Sequence, residues 1–123
     1  MPGNKEFLFE TDDPRGYRIS LSSDRYYNHI ISTVDHNAHT EFTPDEIRAC
    51  VERPDVIWQS ESIPTSDLYF GKTSATYPQL FLRTAVAVNN QAKTGEVMTA
   101  HLTKKISGGK DGGMRYVSYK SKL

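Results

Sequence analysis

Between residues 80 and 106 the chain alternates apolar and polar side chains with a period of two, as strands do when successive residues point to opposite sides. Leu80, Leu82, Thr84, Val86 and Val88 alternate with Phe81, Arg83, Ala85 and Ala87. Met98, Ala100, Leu102 and Ile106 alternate with Thr99, His101, Thr103 and Lys105. Between them the polar stretch Asn89 to Gly95 supplies a turn. Pairing even with even in an antiparallel hairpin gathers the apolar residues on one face and Arg83, Thr99, His101, Thr103 and Lys105 on the other. The even face reads as core. The odd face reads either as a binding or reaction surface, since a core needs no guanidinium, imidazole and ammonium, or as the ordinary solvated side of an antiparallel sheet.

Upstream, Glu6–Glu10 and Tyr17–Leu21 read as the strands of an N-terminal hairpin (residues 1–21), turned at Asp12-Asp13-Pro14-Arg15-Gly16. Ser22-Ser23-Asp24 offers helix caps, and Tyr26, Tyr27, Ile30, Ile31 and Val34 recur at helical spacing to about Asp35. His29 lies about 130° from the centre of that stripe, with His36 almost directly below it. Thr43-Pro44-Asp45-Glu46 is a capping box opening a second helix, which buries Ile47, Cys50 and Val51 and stops at Pro54. Asp55–Gln59 and Asp67–Thr73 read as strands, the latter with Leu68 and Phe70 inward and Tyr69 outward. Residues 107–123 read as a flexible glycine-rich stretch, a hairpin tip or mobile loop, followed by a last strand from Met114. The predicted fold is therefore α+β, a single domain over residues 1–123. Two N-terminal helices pack on one face of a four- to five-stranded antiparallel sheet, and the polar face stays open.

Composition narrows this picture. A chain of 123 residues suits one core. No apolar run approaches the roughly 20 residues that cross a bilayer, and the charged N-terminus has no signal-peptide core, so no membrane contact is expected. The single cysteine excludes an internal disulfide, and its helical apolar setting suggests a buried structural thiol rather than a nucleophile. Ser121-Lys122-Leu123 spells a peroxisomal address, a three-residue match of the kind that arises by chance. Net charge is zero, yet residues 1–71 hold 6 Lys+Arg against 13 Asp+Glu, while residues 72–123 hold 9 against 2. A basic second half that contains the polar sheet face suits phosphates.

Several short motifs go further: Ile19-Ser20-Leu21 followed by His29-Ile30, Glu46-Ile47 through Arg53-Pro54-Asp55-Val56-Ile57, the strand containing Tyr69, and the hairpin segments Leu82-Arg83-Thr84-Ala85-Val86-Ala87-Val88 and Gly95-Glu96-Val97-Met98-Thr99-Ala100. Together they resemble the barnase/EndoU/colicin/RelE-like (BECR) ribonuclease fold, most closely its phage-associated and polymorphic-toxin branches. That resemblance implies metal-independent RNA cleavage on the open sheet face, without a cofactor. It also implies RNA as substrate, an immunity protein or antitoxin as partner, and a location in the cytoplasm, its own or that of a target cell. It makes His29, Arg83 and Thr99 the functional positions, and His36 stands where related sequences often carry a second histidine.

The chemistry asked of these residues is attack of the substrate's 2′-OH on the adjacent phosphorus. A histidine titrates in the right range to move the protons. Arg83 would stabilise the developing charge, and Thr99 and Thr103 would donate to the same oxygens. His101 joins the catalytic candidates by parity, and which histidine is acid and which base is left open. Tyr69, Thr103, Lys105 and His36 are the expected substrate-binding residues, with Tyr69 stacking on a base or orienting the sugar. The rival reading is a non-catalytic protein- or RNA-binding module on the same fold. A third, zinc held by His29, His36 and His39, lacks HExxH, a cysteine pair or a carboxylate at a recognised spacing, so no metal is expected. The run Gly108–Gly113 lacks GxxxxGK[ST] and a following helix, which argues against a nucleotide phosphate loop.

Overall fold

The alternating stretch folds as the expected hairpin, β5 (Phe81–Asn89) and β6 (Thr94–Thr103), closed by a tight turn in which Lys93 takes a φ of 58°. The hairpin lies inside a larger sheet, in a computed structural model that describes residues 6–30, 43–72 and 80–118. The other strands are β1 (Phe7–Asp12), β2 (Arg18–Ser22), β3 (Val56–Ser60), β4 (Ser66–Lys72) and β7 (Gly109–Val117). Their order across the sheet is β1-β2-β6-β5-β4-β3-β7. All neighbours are antiparallel except β2 and β6, which run parallel.

A seven-stranded mixed sheet overturns the expected layout of two N-terminal helices on a four- to five-stranded antiparallel sheet of BECR/RelE-like form. The N-terminal hairpin is part of the sheet, because Arg18–Ser20 of β2 pair with Thr94–Glu96 of β6. The glycine-rich stretch after β6 already begins β7, which pairs with the outer edge of β3 rather than with β6. Both additions join distant segments through backbone groups, which side-chain periodicity does not record. Among the described residues helix is confined to short segments: α1 (Ser23–Arg25), running on into a π-helical turn (Tyr26–Ile30), and α2 (Pro44–Glu52). The first predicted helix is thus described only as far as Ile30; His36 and His39 lie outside the described residues.

Local signals act where they were expected. The Ser22 hydroxyl accepts from the Arg25 amide. Thr43 and Glu46 form the full capping box at the start of α2, and the helix ends at Arg53, just before Pro54. Under the helices the even face is core: Leu82, Val86 and Ala100 are buried with Ile19, Leu21, Ile30, Ile47 and Val51. In β6 a bulge resets the parity. Thr99 pairs with Ala85 but Val97 pairs with Val86, so Val97 takes the core place expected of Met98. Gly71 lets α2 lie on bare backbone, since a β-carbon there would stand 3.2 Å from Cys50 Sγ. The Cys50 thiol donates to the Tyr69 and Leu82 carbonyls at 3.5 Å, and burial pushes its pKa up to about 12, as suits an inert structural thiol.

The odd face is not left open. On its way from β6 to the far edge of the sheet the chain crosses this face, and Ile106 packs there with Val56, Leu68 and Phe70 in a second, smaller core. Among the described residues, no helix is long and apolar enough to cross a membrane.

Candidate functional site

The register of β5 and β6 sets Arg83 opposite His101, Ala85 opposite Thr99 and Phe81 opposite Thr103, so Arg83, Thr99, His101 and Thr103 share the odd face. Arg83 is half-buried, with its Nε sealed from solvent and without a hydrogen-bond partner among the described residues. The ion pairs of the described residues do not include it. Burial pulls its pKa below the usual guanidinium range. Against this cation lies Gly108, where a β-carbon would stand 3.1 Å from Arg83 Nη2. The Thr103 hydroxyl donates to the Lys105 carbonyl at 3.2 Å and accepts from the Lys105 amide at 3.4 Å, bending the chain at the end of β6 and leaving Lys105 exposed.

His29 belongs elsewhere. It is exposed on the π-helical turn, whose Tyr26 and Ile30 pack into the main core with Leu82, Val86 and Ala100. That is the helix-covered side of the sheet, opposite Arg83 and Thr99. Tyr69, expected outward as a base-stacking residue, is fully buried on the same helix side. The reason is register: Tyr69 pairs with Thr84 of the even face, while Leu68 and Phe70 face the second core across from Ala85 and Arg83. Of the expected catalytic residues, Arg83, Thr99 and His101 come together and His29 does not.

Sequence reasoning missed a second polar cluster. Asp13 and Arg15, in the turn of the N-terminal hairpin, reach Asp67 and Tyr69 on β4, three strands from β2 in the sheet order, so the sheet curls its first hairpin over its own core. Arg15 donates to Asp13 and to Asp67, each at 2.9 Å, and to the Tyr69 hydroxyl at 2.8 Å. The Tyr69 hydroxyl in turn donates to Asp13 at 2.5 Å, and Arg115 of β7 reaches Asp67 at 3.5 Å. The other oxygen of Asp13 accepts the amides of Arg15 and Tyr17. Burial opposes the charge on Arg15, but Tyr69, Asp13 and Asp67 outweigh it and hold the pKa above its ordinary value; burial and the bond to Asp13 push Tyr69 up. Both carboxylates have fully buried side chains and are engaged. This cluster is a structural tie. Its one sequence signal is Asp67, a carboxylate inside an otherwise core-like strand.

Comparison with family models, with curated proteins and with solved structures finds no match for this chain. Among the described residues no group of three or more histidine, cysteine, aspartate or glutamate side chains is placed to hold a metal. His36 and His39, which the zinc reading requires, lie outside those residues.

Proposed function

We propose that the chain is an RNA-binding protein that holds the phosphodiester backbone on the odd face of β5 and β6. Arg83 is the central anion contact, with Thr99, His101, Thr103 and Lys105 around it. The observation that carries this reading is the uncompensated guanidinium. Arg15 and Arg115 are matched by buried carboxylates, whereas Arg83 is taken half out of water with an unpartnered Nε. A buried donor without an acceptor costs about 1–3 kcal/mol, a cost that an anionic ligand removes. Guanidinium forks match phosphate oxygens in a way that a solvating lysine does not. RNA is favoured by the basic second half of the chain.

The test is fluorescence anisotropy with a labelled single-stranded RNA, using wild type and Arg83→Gln in EDTA. Binding that weakens about tenfold or more in the variant supports the reading; equal binding, or none in wild type, sinks it. The second reading is metal-independent cleavage by 2′-OH attack. It is favoured by His101, a proton-transfer group directly across from Arg83, and weakened by His29, which lies on the other face. Cleavage products in EDTA that vanish in His101→Ala, together with toxicity on expression, select it over binding alone.

A further inference from the structure

Arg83 is covered as well as uncompensated. Residues 104–108, leaving β6, cross the odd face as a strap. Ile106 packs with Val56, Leu68 and Phe70, the Gly108 carbonyl accepts from the Glu61 amide at 3.0 Å, and Gly108 lies on the guanidinium. Its φ of +92° favours glycine, and a β-carbon there would also stand 3.5 Å from Arg83 Cζ. Among the described residues the strap is held by the packing of Ile106, the Gly108–Glu61 bond and the Thr103–Lys105 bonds, while Lys104, Lys105 and Ser107 along it are exposed. Ile106 also borders a cleft of about 800 Å³ together with Phe81 and Tyr116.

We propose that the 104–108 strap is an autoinhibitory cover over Arg83. Closed, it sets Gly108 against the guanidinium; open, it yields that place to a phosphate group of RNA. The proposal rests on the reading of the odd face as an RNA-binding surface and adds how access to it is controlled. The closed state keeps a buried donor unsatisfied, and the open state gives up the partial burial of Ile106 and the Gly108–Glu61 bond. Two modest, opposing costs leave the states close in free energy, which a ligand needs in order to shift their populations. Lys104 and Lys105 ride on the strap, so an approaching anion first meets the element that must move.

Ile106→Ala weakens the strap without touching Arg83. Two readouts are taken: RNA affinity by anisotropy, and solvent exchange of the Arg83 Nε proton by NMR. The expected result is binding about threefold to tenfold tighter in Ile106→Ala than in wild type, with faster Nε proton exchange, and loss of the gain when Arg83→Gln is added. If RNA binds both proteins equally, the inhibitory cover is overturned while the RNA reading survives. If neither protein binds RNA, but inorganic phosphate shifts the Arg83 Nε signal more in Ile106→Ala, the cover stands and the RNA reading falls. If neither RNA affinity, nor proton exchange, nor the phosphate response differs between the two proteins, the cover falls. Should Ile106→Ala not fold, Ile106→Val removes a single methyl group and must move both readouts in the same direction.

Discussion

Arg15 and Arg83 are both partly buried against the sheet, yet their surroundings assign them opposite effects on stability. Arg15 lies between Asp13, Asp67 and the Tyr69 hydroxyl, and its removal leaves two buried carboxylates short of their main partner. Breaking such a pair from one side costs about 3–5 kcal/mol. Arg15→Met is therefore expected to lower unfolding stability by about 3 kcal/mol in urea titration, at the lower end because Tyr69 still donates to Asp13 and Arg115 to Asp67. Arg83 has no such partners. Arg83→Met fills similar volume without a buried unpaired donor, and is expected to raise stability by about 1 kcal/mol while weakening RNA binding. A gain in stability together with a loss of binding is the mark of a side chain kept for a ligand; destabilisation by the same change would argue that Arg83 is a structural residue.

At the scale of elements, the strands and caps were legible because their causes are local. Alternation marks β5 and β6, Thr43-Pro44-Asp45-Glu46 starts α2, and Asp12 to Gly16 turns the first hairpin. What could not be read were the pairings between remote segments, β2 with β6 and β7 with β3, and with them the strap that crosses the odd face. The Met98 bulge was equally hidden, since nothing in a polar and apolar alternation announces one extra residue. For the candidate site, Arg83, Thr99, His101 and Thr103 followed from parity on one hairpin, whereas His29 and Tyr69 depended on which side of the sheet a helix and a third strand would present. One contact between elements predicts a pH effect. Thr11 of β1 donates to Glu52 at the end of α2, and this bond, followed by that from Arg48, holds the Glu52 pKa below its ordinary value. A carboxylate lowered in the folded state adds stability above its unfolded pKa, near 4.3, and loses it as pH falls through the folded value. The Glu52 side chain is partly exposed at the surface, and solvent screening keeps the contribution below about 1 kcal/mol. Thr11→Val is expected to be less stable than wild type at neutral pH, with the difference closing as the pH drops below about 4; a gap that persists at low pH would assign the loss to packing instead.

Over the whole molecule, folding sorts the two oppositely charged halves of the chain. Three acidic groups of the first half are used internally: Asp13 and Asp67 hold Arg15 and Arg115, and Glu52 takes Thr11, Arg48 and Arg53, while Glu6, Glu10, Asp12, Asp24, Asp45 and Glu61 stay exposed. Lys104, Lys105 and Lys110 are exposed cations on and beside the strap, with Arg83 beneath it and the exposed acids Glu61 and Asp111 next to them. Four cations against these two acids leave a modest local positive excess in a protein of zero net charge. If these four groups meet phosphates, counterion release predicts that log affinity for single-stranded RNA falls with log salt at a slope of about −3, at roughly −0.7 for each phosphate contact. The slope is read from anisotropy titrations between about 50 and about 200 mM KCl. Arg83→Gln is expected to make it shallower by about 0.7 while also lowering affinity at every salt concentration. Replacing Lys104 and Lys105 by glutamine is expected to remove about twice that slope, since each contributes a charge and neither a fixed geometry. A slope near zero in wild type would show that binding does not run through phosphates, and the odd face would then be a surface for something other than a nucleic-acid backbone.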